Sequence, residues 1–491
     1  MTRIWGVSAL SHDASLAVLE DGRPLFAAHA ERYSRLKNDP HLCNGLIQAA
    51  LQFGRPDVIA WYERPLLKKA RHLRAGQWRD AFTAADLPNR YLRSLDLPFT
   101  FSGIGHYAKH HDSHRAVGMA TSGYNDAVAI TADAIGEFAT FTIAHCRLGQ
   151  PDDVLTQVNY PNSLGLLYSA FTRRCGFRPN EDEYVVMGLA SFGEPKHVPE
   201  IYNDFLVTAG PAFRLKLNPH RGIGNWLPDA RREDLAASIQ QVIEDVLVRA
   251  AEWARRQTGC RDLVFGGGLA LNCVANTKIA TAAGYDRVWI FPNPGDAGSS
   301  LGAAADAHGG PVTWDGPYLG TDIPGPYPVD SLLSGLLSDG MVGVASGRAE
   351  FGPRALGNRS ILADPRPTNM QERVNAIKGR EPFRPFAPVV RQERAAEFFS
   401  MPVSESPYMQ FTSTCRAPDY LPAVTHVDGT SRVQTVTVDQ HPGLYELLSR
   451  WEEATGCAVL LNTSLNGRSD PLVDTAQDAR AFAEATGLVV R

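Results

Sequence analysis

The sequence predicts an α/β protein, and two features of the chain support this. Two segments, at 4–27 and 127–143, join strand-like apolar runs through polar corners. An amphipathic helix at 234–259 leads directly into a buried strand at 263–265. Strand-like segments combined with a long amphipathic helix are typical of an α/β fold.

The length of the chain predicts two unequal domains. At 491 residues it exceeds one compact core, since domains usually contain about 100–200 residues. The segment 320–328 (GTDIPGPYP) is rich in proline and glycine and has no hydrophobic periodicity, so we place the connection there. We therefore expect domains at 1–325 and 326–491.

The two strand-like segments share one plan. The first passes through the corner SHDAS and continues into a hairpin at Asp21-Gly22, a pair typical of tight β-turns. The second contains the corner TADAIGE. Such a repeat is typical of an actin-like or sugar-kinase-like ATPase core with two facing phosphate loops. Two unrelated hairpins are the alternative that the pattern leaves open.

Two glycine-rich loops follow predicted strands. The strand at 263–265 ends in Gly266-Gly267-Gly268, where a backbone with few side chains can approach a ligand. The strand at 288–291 ends in NPGDAG before a helix of small residues, and helix N-termini favour anions.

Composition excludes several classes of protein. The formal charge of −5 and the pI near 6.3 provide no field that would attract nucleic acid or an anionic membrane. Seven cysteines occur without a CxxC pair, which argues against a disulfide framework or a thiolate zinc site. The first residues do not resemble a signal peptide, and we expect a cytoplasmic protein.

Three groups of residues indicate chemistry. His110 and His114 have the spacing of two metal ligands on one helix face, although two surface histidines are the alternative. Asp133 and Asp296 at strand ends would complete a site for iron, manganese or zinc. His12 beside Asp13 is a candidate general base, or a histidine that only hydrogen-bonds its corner. Six cations near glycines and prolines indicate an anionic ligand rather than a solvated basic face: Arg348, Arg354, Arg359, Lys378, Arg380 and Arg384.

Nine segments, in order along nearly the whole chain, resemble the NodU/CmcH O-carbamoyltransferase family. They are HDAS from residue 12, HHDSH at 110–114, SLGLLYSAFT at 163–172, EYVVMGLA at 183–190, GGGLALNC at 266–273, GDAGSSLGAA at 295–304, EFGPRALGNRSILADP at 350–365, RPFAP at 384–388 and NTSLN at 462–466.

The resemblance implies an N-terminal actin-like domain of the threonylcarbamoyl-transfer type and a C-terminal YrdC-like domain. In the second fold a KxR and an SxN mark the ATP site, which implies Lys378 to Arg380 and Ser464 to Asn466. Carbamoyl phosphate and ATP, with Mg²⁺, would form carbamoyl-adenylate and pyrophosphate there. The cofactor-binding residues would be the six cations with Gly136, Gly266, Gly267, Gly268, Asn272, Thr463, Ser464 and Asn466.

In the first domain the resemblance implies an iron-like divalent metal on His110, His114, Asp133 and Asp296. His12 would deprotonate a hydroxyl of a small molecule, which attacks the carbamoyl carbon as AMP leaves. The expected partners are that acceptor, a secondary metabolite as in antibiotic biosynthesis, and carbamoyl phosphate, without nucleic acid or membrane; a homodimer is left open.

The chain departs from the family at two places, and three alternatives remain. Val185 stands where family members usually carry lysine, and Asp470-Pro471-Leu472 where glutamate-proline-isoleucine is commoner. A hydrogenase-maturation carbamoyltransferase would carry cysteine zinc fingers, and a tRNA threonylcarbamoylation enzyme a basic RNA-binding surface. A non-catalytic nucleotide-binding protein is the third alternative.

Overall fold

The computed structural model describes residues 2–83, 87–381 and 384–491 and confirms a mixed α/β fold. The chain divides into two compact units. The first consists of Asn38–Trp314 and the residues that precede Glu31, and the second of Glu31–Lys37 and Asp315–Arg491. The second unit thus begins before the segment 320–328, because a strand at Tyr318–Ile323 pairs with Gly347–Glu350.

The first unit contains two five-stranded sheets with the same plan. Their orders are β3-β2-β1-β4-β5 and β12-β11-β6-β7-β8, and in each a three-stranded antiparallel meander continues into two parallel strands. The strands are β1 (Arg3–Ser8), β2 (Ser15–Glu20), β3 (Arg23–His29), β4 (Val58–Trp61), β5 (His106–Tyr107), β6 (Asp126–Ala132), β7 (Ala139–Arg147), β8 (Asp153–Asn159), β9 (Leu206–Ala209), β10 (Ala212–Leu215), β11 (Asp262–Gly266) and β12 (Arg287–Ile290). β9 and β10 form a separate hairpin.

The α-helices up to Trp314 are α1 (Ala30–Ser34), which crosses into the second unit, α2 (Asn44–Leu51), α3 (Pro65–Arg74), α4 (Trp78–Phe82), α5 (Pro88–Ser94), α6 (His110–Ser122), α7 (Leu164–Arg174), α8 (Glu183–Leu189), α9 (Val198–Asp204), α10 (Arg232–Thr258), α11 (Cys273–Ala282) and α12 (Ser299–His308). The predicted amphipathic helix is confirmed as α10, which ends at Gly259 in the left-handed conformation.

Small residues let α6 and α12 pack closely against each other and against the two sheets. A Cβ atom on Gly302 of α12 would lie 2.0 Å from the backbone oxygen of Ser113 in α6. A Cβ on Gly6 of β1 would lie 1.8 Å from the oxygen of Ser300, and one on Gly118 would lie 2.4 Å from Val264 of β11. Because side chains are missing at these contacts, the N-terminal turns of both helices lie close together.

The second unit is built on a five-stranded sheet of order β14-β16-β22-β17-β21, antiparallel except for the β17/β21 pair. Its strands are β13 (Tyr318–Ile323), β14 (Met341–Ala345), β15 (Gly347–Glu350), β16 (Arg359–Ala363), β17 (Ala387–Arg391), β18 (Phe399–Ser400), β19 (Ser413–Cys415), β20 (Thr430–Ser431), β21 (Gln434–Val436) and β22 (Val459–Ser464). Its helices are α13 (Val329–Asp339), α14 (Met370–Lys378), α15 (Gln392–Phe398), α16 (Pro442–Thr455) and α17 (Ala476–Thr486). Trp451 of α16 and the apolar residues of β14, β16 and β22 belong to one buried core.

Among the described residues, no helix has both the length and the apolar character needed to span a membrane.

Candidate functional site

Four side chains predicted as metal ligands come together in the first unit. His110 and His114 lie one turn apart at the start of α6, so their rings project from the same face. Asp133 directly follows β6, and Asp296 lies in the turn between β12 and α12. One donor atom from each of the four lies within 4.8 Å of the others.

The donor atoms converge at a largely buried place. His110 Nε2 lies 2.8 Å from Asp133 Oδ2 and 3.6 Å from Asp296 Oδ1, and His114 Nε2 lies 3.5 Å from each of these oxygens. The imidazoles are 2% and 1% exposed, whereas the Asp296 side chain is 16% exposed. The Asp296 side of the cluster is therefore the most exposed.

The carboxylates make this cluster a favourable place for positive charge. Burial lowers the pKa of His114, but hydrogen bonds to Asp133 and Asp296 outweigh burial and raise it to about 9. The pKa of His110 is also raised, since Asp296 and Asp133 outweigh burial. Burial acts to raise the pKa of Asp133, yet the two imidazoles hold it well below its usual value.

Surrounding groups fix the orientation of the cluster. The backbone N–H groups of Ala134 and Gly268 donate to Asp133 Oδ1, at 2.7 and 3.4 Å. Ser299 Oγ lies 3.3 Å from His114 Nδ1. A Cβ on Gly136 would lie 2.5 Å from the His110 ring, so the corner needs glycine there.

The donor set fits a divalent transition metal. Two imidazole nitrogens and two carboxylate oxygens, without sulfur, are ligands that suit iron, manganese or zinc. The four residues predicted from the sequence are thus close enough together to hold one metal ion.

The His12–Asp13 corner lies between β1 and β2. His12 Nδ1 is 3.0 Å from Asp13 Oδ2, and Ser15 Oγ donates to the oxygen of Ala297, which ties this corner to the turn that carries Asp296. Burial lowers the pKa of His12, but the hydrogen bond and charge of Asp13 outweigh it and raise the pKa to about 9. At neutral pH the imidazole therefore holds a proton, and only its minority neutral form could accept another.

The second unit brings the KxR and SxN segments together. Lys378 at the end of α14 is 5% exposed, and its Nζ donates to Ser464 and Asn466 through side-chain and backbone oxygens. Burial, and then the charges of Arg380 and Arg384, hold the pKa of Lys378 well below its usual value. An anion bound beside these three cations would relieve their repulsion.

Arg380 and Arg384 border this cluster. The Arg380 guanidinium donates to Asn375 Oδ1 at 2.7 Å and lies 4.1 Å from the centre of the Phe386 ring. Arg384 pairs with Glu381 at 3.5 Å. Arg354 is half-buried in the loop before β16, and Thr463 precedes Ser464 in β22.

Three residues predicted to bind the cofactor make hydrogen bonds within the protein: Arg359, Arg348 and Asn272. Arg359 is fully buried, and its guanidinium donates to the backbone oxygens of Thr321, Ser346, Gly347, Asn358 and Asp474. These bonds hold the guanidinium against the backbone of its own unit. Arg348 also donates to backbone oxygens, those of Leu319 and Gly320.

Asn272 is the third of these residues. Its Oδ1 accepts from the N–H of Ala275 and caps α11, and its amide donates to Gln240. Of the neighbouring glycines, Gly267 has φ of +88° and a Cβ there would lie 2.3 Å from the oxygen of Ala132, so the loop is held against the strand that precedes Asp133. Val185, at the place of the family lysine, is buried and apolar.

Sequence reasoning missed two groups that contact the ligand cluster. Tyr62 packs its ring edge-on against His110, with ring centroids 5.4 Å apart, and nothing in the pattern around it marks it. Ser299 lies within the segment GDAGSSLGAA, so the resemblance pointed to its neighbourhood but not to its contact with His114.

Comparison with known proteins identifies the family of the chain. Residues 92–305 match the family model for the carbamoyltransferase N-terminus, and residues 334–490 match that for the carbamoyltransferase C-terminus. A nodulation protein NolNO of Sinorhizobium fredii is 33% identical over 95% of this chain and 76% of its own length. An uncharacterized protein of Synechocystis sp. is 34% identical over 98% of this chain and 94% of its own.

A third relative carries a more specific name. The 3'-hydroxymethylcephem-O-carbamoyltransferase of Amycolatopsis lactamdurans is 30% identical over 97% of this chain and 95% of its own length. These matches span both structural units. The chain is therefore an enzyme that belongs to the carbamoyltransferase family.

Proposed function

We propose that this enzyme is an ATP-dependent O-carbamoyltransferase that acts on a hydroxyl group of a small molecule. The observation that carries the proposal is the convergence of His110, His114, Asp133 and Asp296 in the first unit of a carbamoyltransferase. An O-carbamoyltransferase with a named cephem acceptor, aligned over nearly the whole chain, supports a hydroxyl as the acceptor.

We propose the second unit as the place where the carbamoyl donor is activated, in a YrdC-like fold. Water would cleave carbamoyl phosphate to carbamate and phosphate, and a carbamate oxygen would then attack the α-phosphorus of ATP. The products are carbamoyl-adenylate and pyrophosphate, and Mg²⁺ would accompany the nucleotide. The close approach of Lys378 to Ser464 and Asn466 supports this location, because a phosphate bound there would stabilise the charged form of this buried amine.

We propose the first unit, in an actin-like fold, as the place of transfer. The repeated sheet plan and the glycine loop beside Asp133 support this assignment. His12, in its neutral form, would take the proton of the acceptor hydroxyl, and Asp13 would stabilise the resulting imidazolium. The hydroxyl oxygen attacks the carbamoyl carbon, and AMP leaves with the electrons of the broken C–O bond.

A divalent metal held by His110, His114, Asp133 and Asp296 would act as a Lewis acid for the charge that develops on a carbamoyl or phosphate oxygen. Ser299 and the backbone amide of Gly268 hold two of these ligands in place. The low exposure of the imidazoles excludes water from this side, which protects a reactive mixed anhydride from hydrolysis.

The test is product detection. Purified enzyme with ATP, Mg²⁺ and carbamoyl phosphate is incubated with a panel of hydroxylated secondary metabolites, and mass spectrometry records the gain of one carbamoyl group. We expect one class of acceptor to gain the group only when both ATP and carbamoyl phosphate are present. Transfer that proceeds without ATP would contradict the proposal.

A further inference from the structure

A second group of metal-binding side chains lies in the first unit at the opposite end of β6 from Asp133. It consists of Asp126 at the start of β6, His145 near the end of β7 and Cys260 just before β11. A strand rises about 3.3 Å per residue, so β6 separates the two groups by roughly 20 Å. The proposed transfer reaction does not use this group.

The sheet places these three side chains together. Asp126 pairs with Arg147 in the β6/β7 hairpin, and His145 lies two residues before Arg147, on the same face. Cys146 lies between them and therefore projects from the opposite face. Cys260 follows Gly259, whose left-handed conformation ends α10 and turns the chain into β11, the parallel neighbour of β6.

The donor atoms are already close. His145 Nε2 lies 2.6 Å from Asp126 Oδ1, Cys260 Sγ lies 3.2 Å from the same oxygen, and all three lie within 4.8 Å of one another. His145 and Cys260 are each 6% exposed, whereas the Asp126 side chain is 57% exposed. Two donors are thus fixed by packing, and the third opens to solvent, where water can complete a coordination shell.

We propose that Asp126, His145 and Cys260 bind a zinc-like divalent cation, with water as the fourth ligand. One sulfur, one imidazole nitrogen and one carboxylate oxygen form a set that zinc accepts in tetrahedral geometry. The absence of CxxC spacing does not bear on it, because only one ligand is a cysteine.

Binding of the ion requires small movements of two side chains and the loss of one proton. Zinc bonds of about 2.0–2.3 Å separate tetrahedral ligands by about 3.3–3.7 Å, so the exposed Asp126 carboxylate would move back by roughly 1 Å. Arg147 Nη2, 2.9 Å from His145 Nδ1, would turn away because Nδ1 then carries the proton; Arg147 is exposed and has room to turn. The thiol proton of Cys260 is released to solvent. The ion would join the β6/β7 hairpin to the α10–β11 connection.

The test is a Co²⁺ titration of the full chain followed by absorption spectroscopy. A thiolate bound to Co²⁺ gives a charge-transfer band, which the first cluster cannot produce because it contains no sulfur. We expect the band in the wild type and in Cys146→Ala, a matched control on the opposite face of the hairpin, and its loss in Cys260→Ala. Circular dichroism checks that each variant is folded.

A second variant keeps the test independent of the folding of Cys260→Ala. Asp126→Asn alters an exposed side chain, and it should weaken Co²⁺ binding at least tenfold without changing the melting temperature. No band in the wild type, or a band that persists in Cys260→Ala, would overturn the proposal. An unchanged Co²⁺ affinity in Asp126→Asn would remove that carboxylate from the site and overturn the proposal as stated.

Discussion

The Nε2 atoms of His110 and His114 lie 3.3 Å apart, with a carboxylate oxygen of Asp133 or Asp296 beside each. The first turn of α6 holds the two buried imidazoles in this position, and the carboxylates of Asp133 and Asp296 make the cluster favourable for positive charge. Substitution of one of these two histidines is therefore a direct test of the proposed transfer site.

Replacing His110 by alanine should remove the metal. Loss of a partner that only orients a ligand usually lowers metal affinity about 10–100-fold, so loss of a ligand itself should lower it by more than about 100-fold. Elemental analysis of protein purified without chelator measures the metal content. His111→Gln is the matched control, since His111 lies in the same turn but faces Thr142. Unchanged metal content in His110→Ala would remove this residue from the ligand set.

His12→Asn should block transfer while leaving adenylate formation intact. Loss of a general base typically slows a reaction about 10²–10⁴-fold. Because the pKa of His12 is raised to about 9, the neutral base becomes more abundant as the pH rises, and transfer should increase about tenfold per pH unit below pH 9 and then level off. Single-turnover transfer across this range measures the effect. A flat profile in the wild type would contradict the role of His12.

Arg380→Ala should abolish adenylate formation. We expect a loss of about 10²–10³-fold, the usual cost of removing one group that stabilises developing charge. ATP–pyrophosphate exchange with carbamoyl phosphate present measures this step. Arg373→Ala is the control, because Arg373 lies on α14, which ends two residues before Arg380, and donates to the oxygen of Asp339 at the surface. Equal exchange rates in the two variants would exclude Arg380 from the donor site.

Arg359→Met should destabilise the second unit. Its guanidinium donates to five backbone oxygens, three of them through buried hydrogen bonds, and each buried polar group left unpaired costs about 1–3 kcal/mol. We expect the free energy of unfolding to fall by about 3 kcal/mol or more in urea titrations. A folded, stable variant that has lost only nucleotide binding would instead make Arg359 a ligand.

His441 should lower the free energy of unfolding at acid pH. It lies between Tyr318 and Tyr327, its Nδ1 accepts from Leu444 N–H, and burial lowers its pKa to about 4. Below about pH 6.5 the histidine of the unfolded chain binds a proton, whereas His441 in the folded protein stays neutral. The free energy of unfolding should therefore fall by about 3 kcal/mol as the pH falls from about 6.5 to about 4. His441→Gln should remove this dependence in urea unfolding at pH 7 and pH 4.5. Identical pH dependence in both proteins would contradict it.

The parts of the fold and site that the sequence predicted depend on local rules. Helical spacing brought His110 and His114 to one face, and Asp133 and Asp296 follow strands whose ends the pattern marked. Long-range packing decided the rest. Arg359 and Arg380 both lie near glycines in the sequence. The backbone oxygens around Arg359, however, come from segments more than a hundred residues apart, and no local pattern predicts such contacts. The grouping of Asp126, His145 and Cys260 depends on sheet register in the same way.

Pyrophosphate release measures the central claim most directly. Purified enzyme with ATP and Mg²⁺ should release pyrophosphate only when carbamoyl phosphate is added, with one inorganic phosphate formed for each pyrophosphate. Well-folded protein that releases no pyrophosphate with both compounds present, or releases it equally from ATP alone, would contradict carbamoyl-adenylate formation.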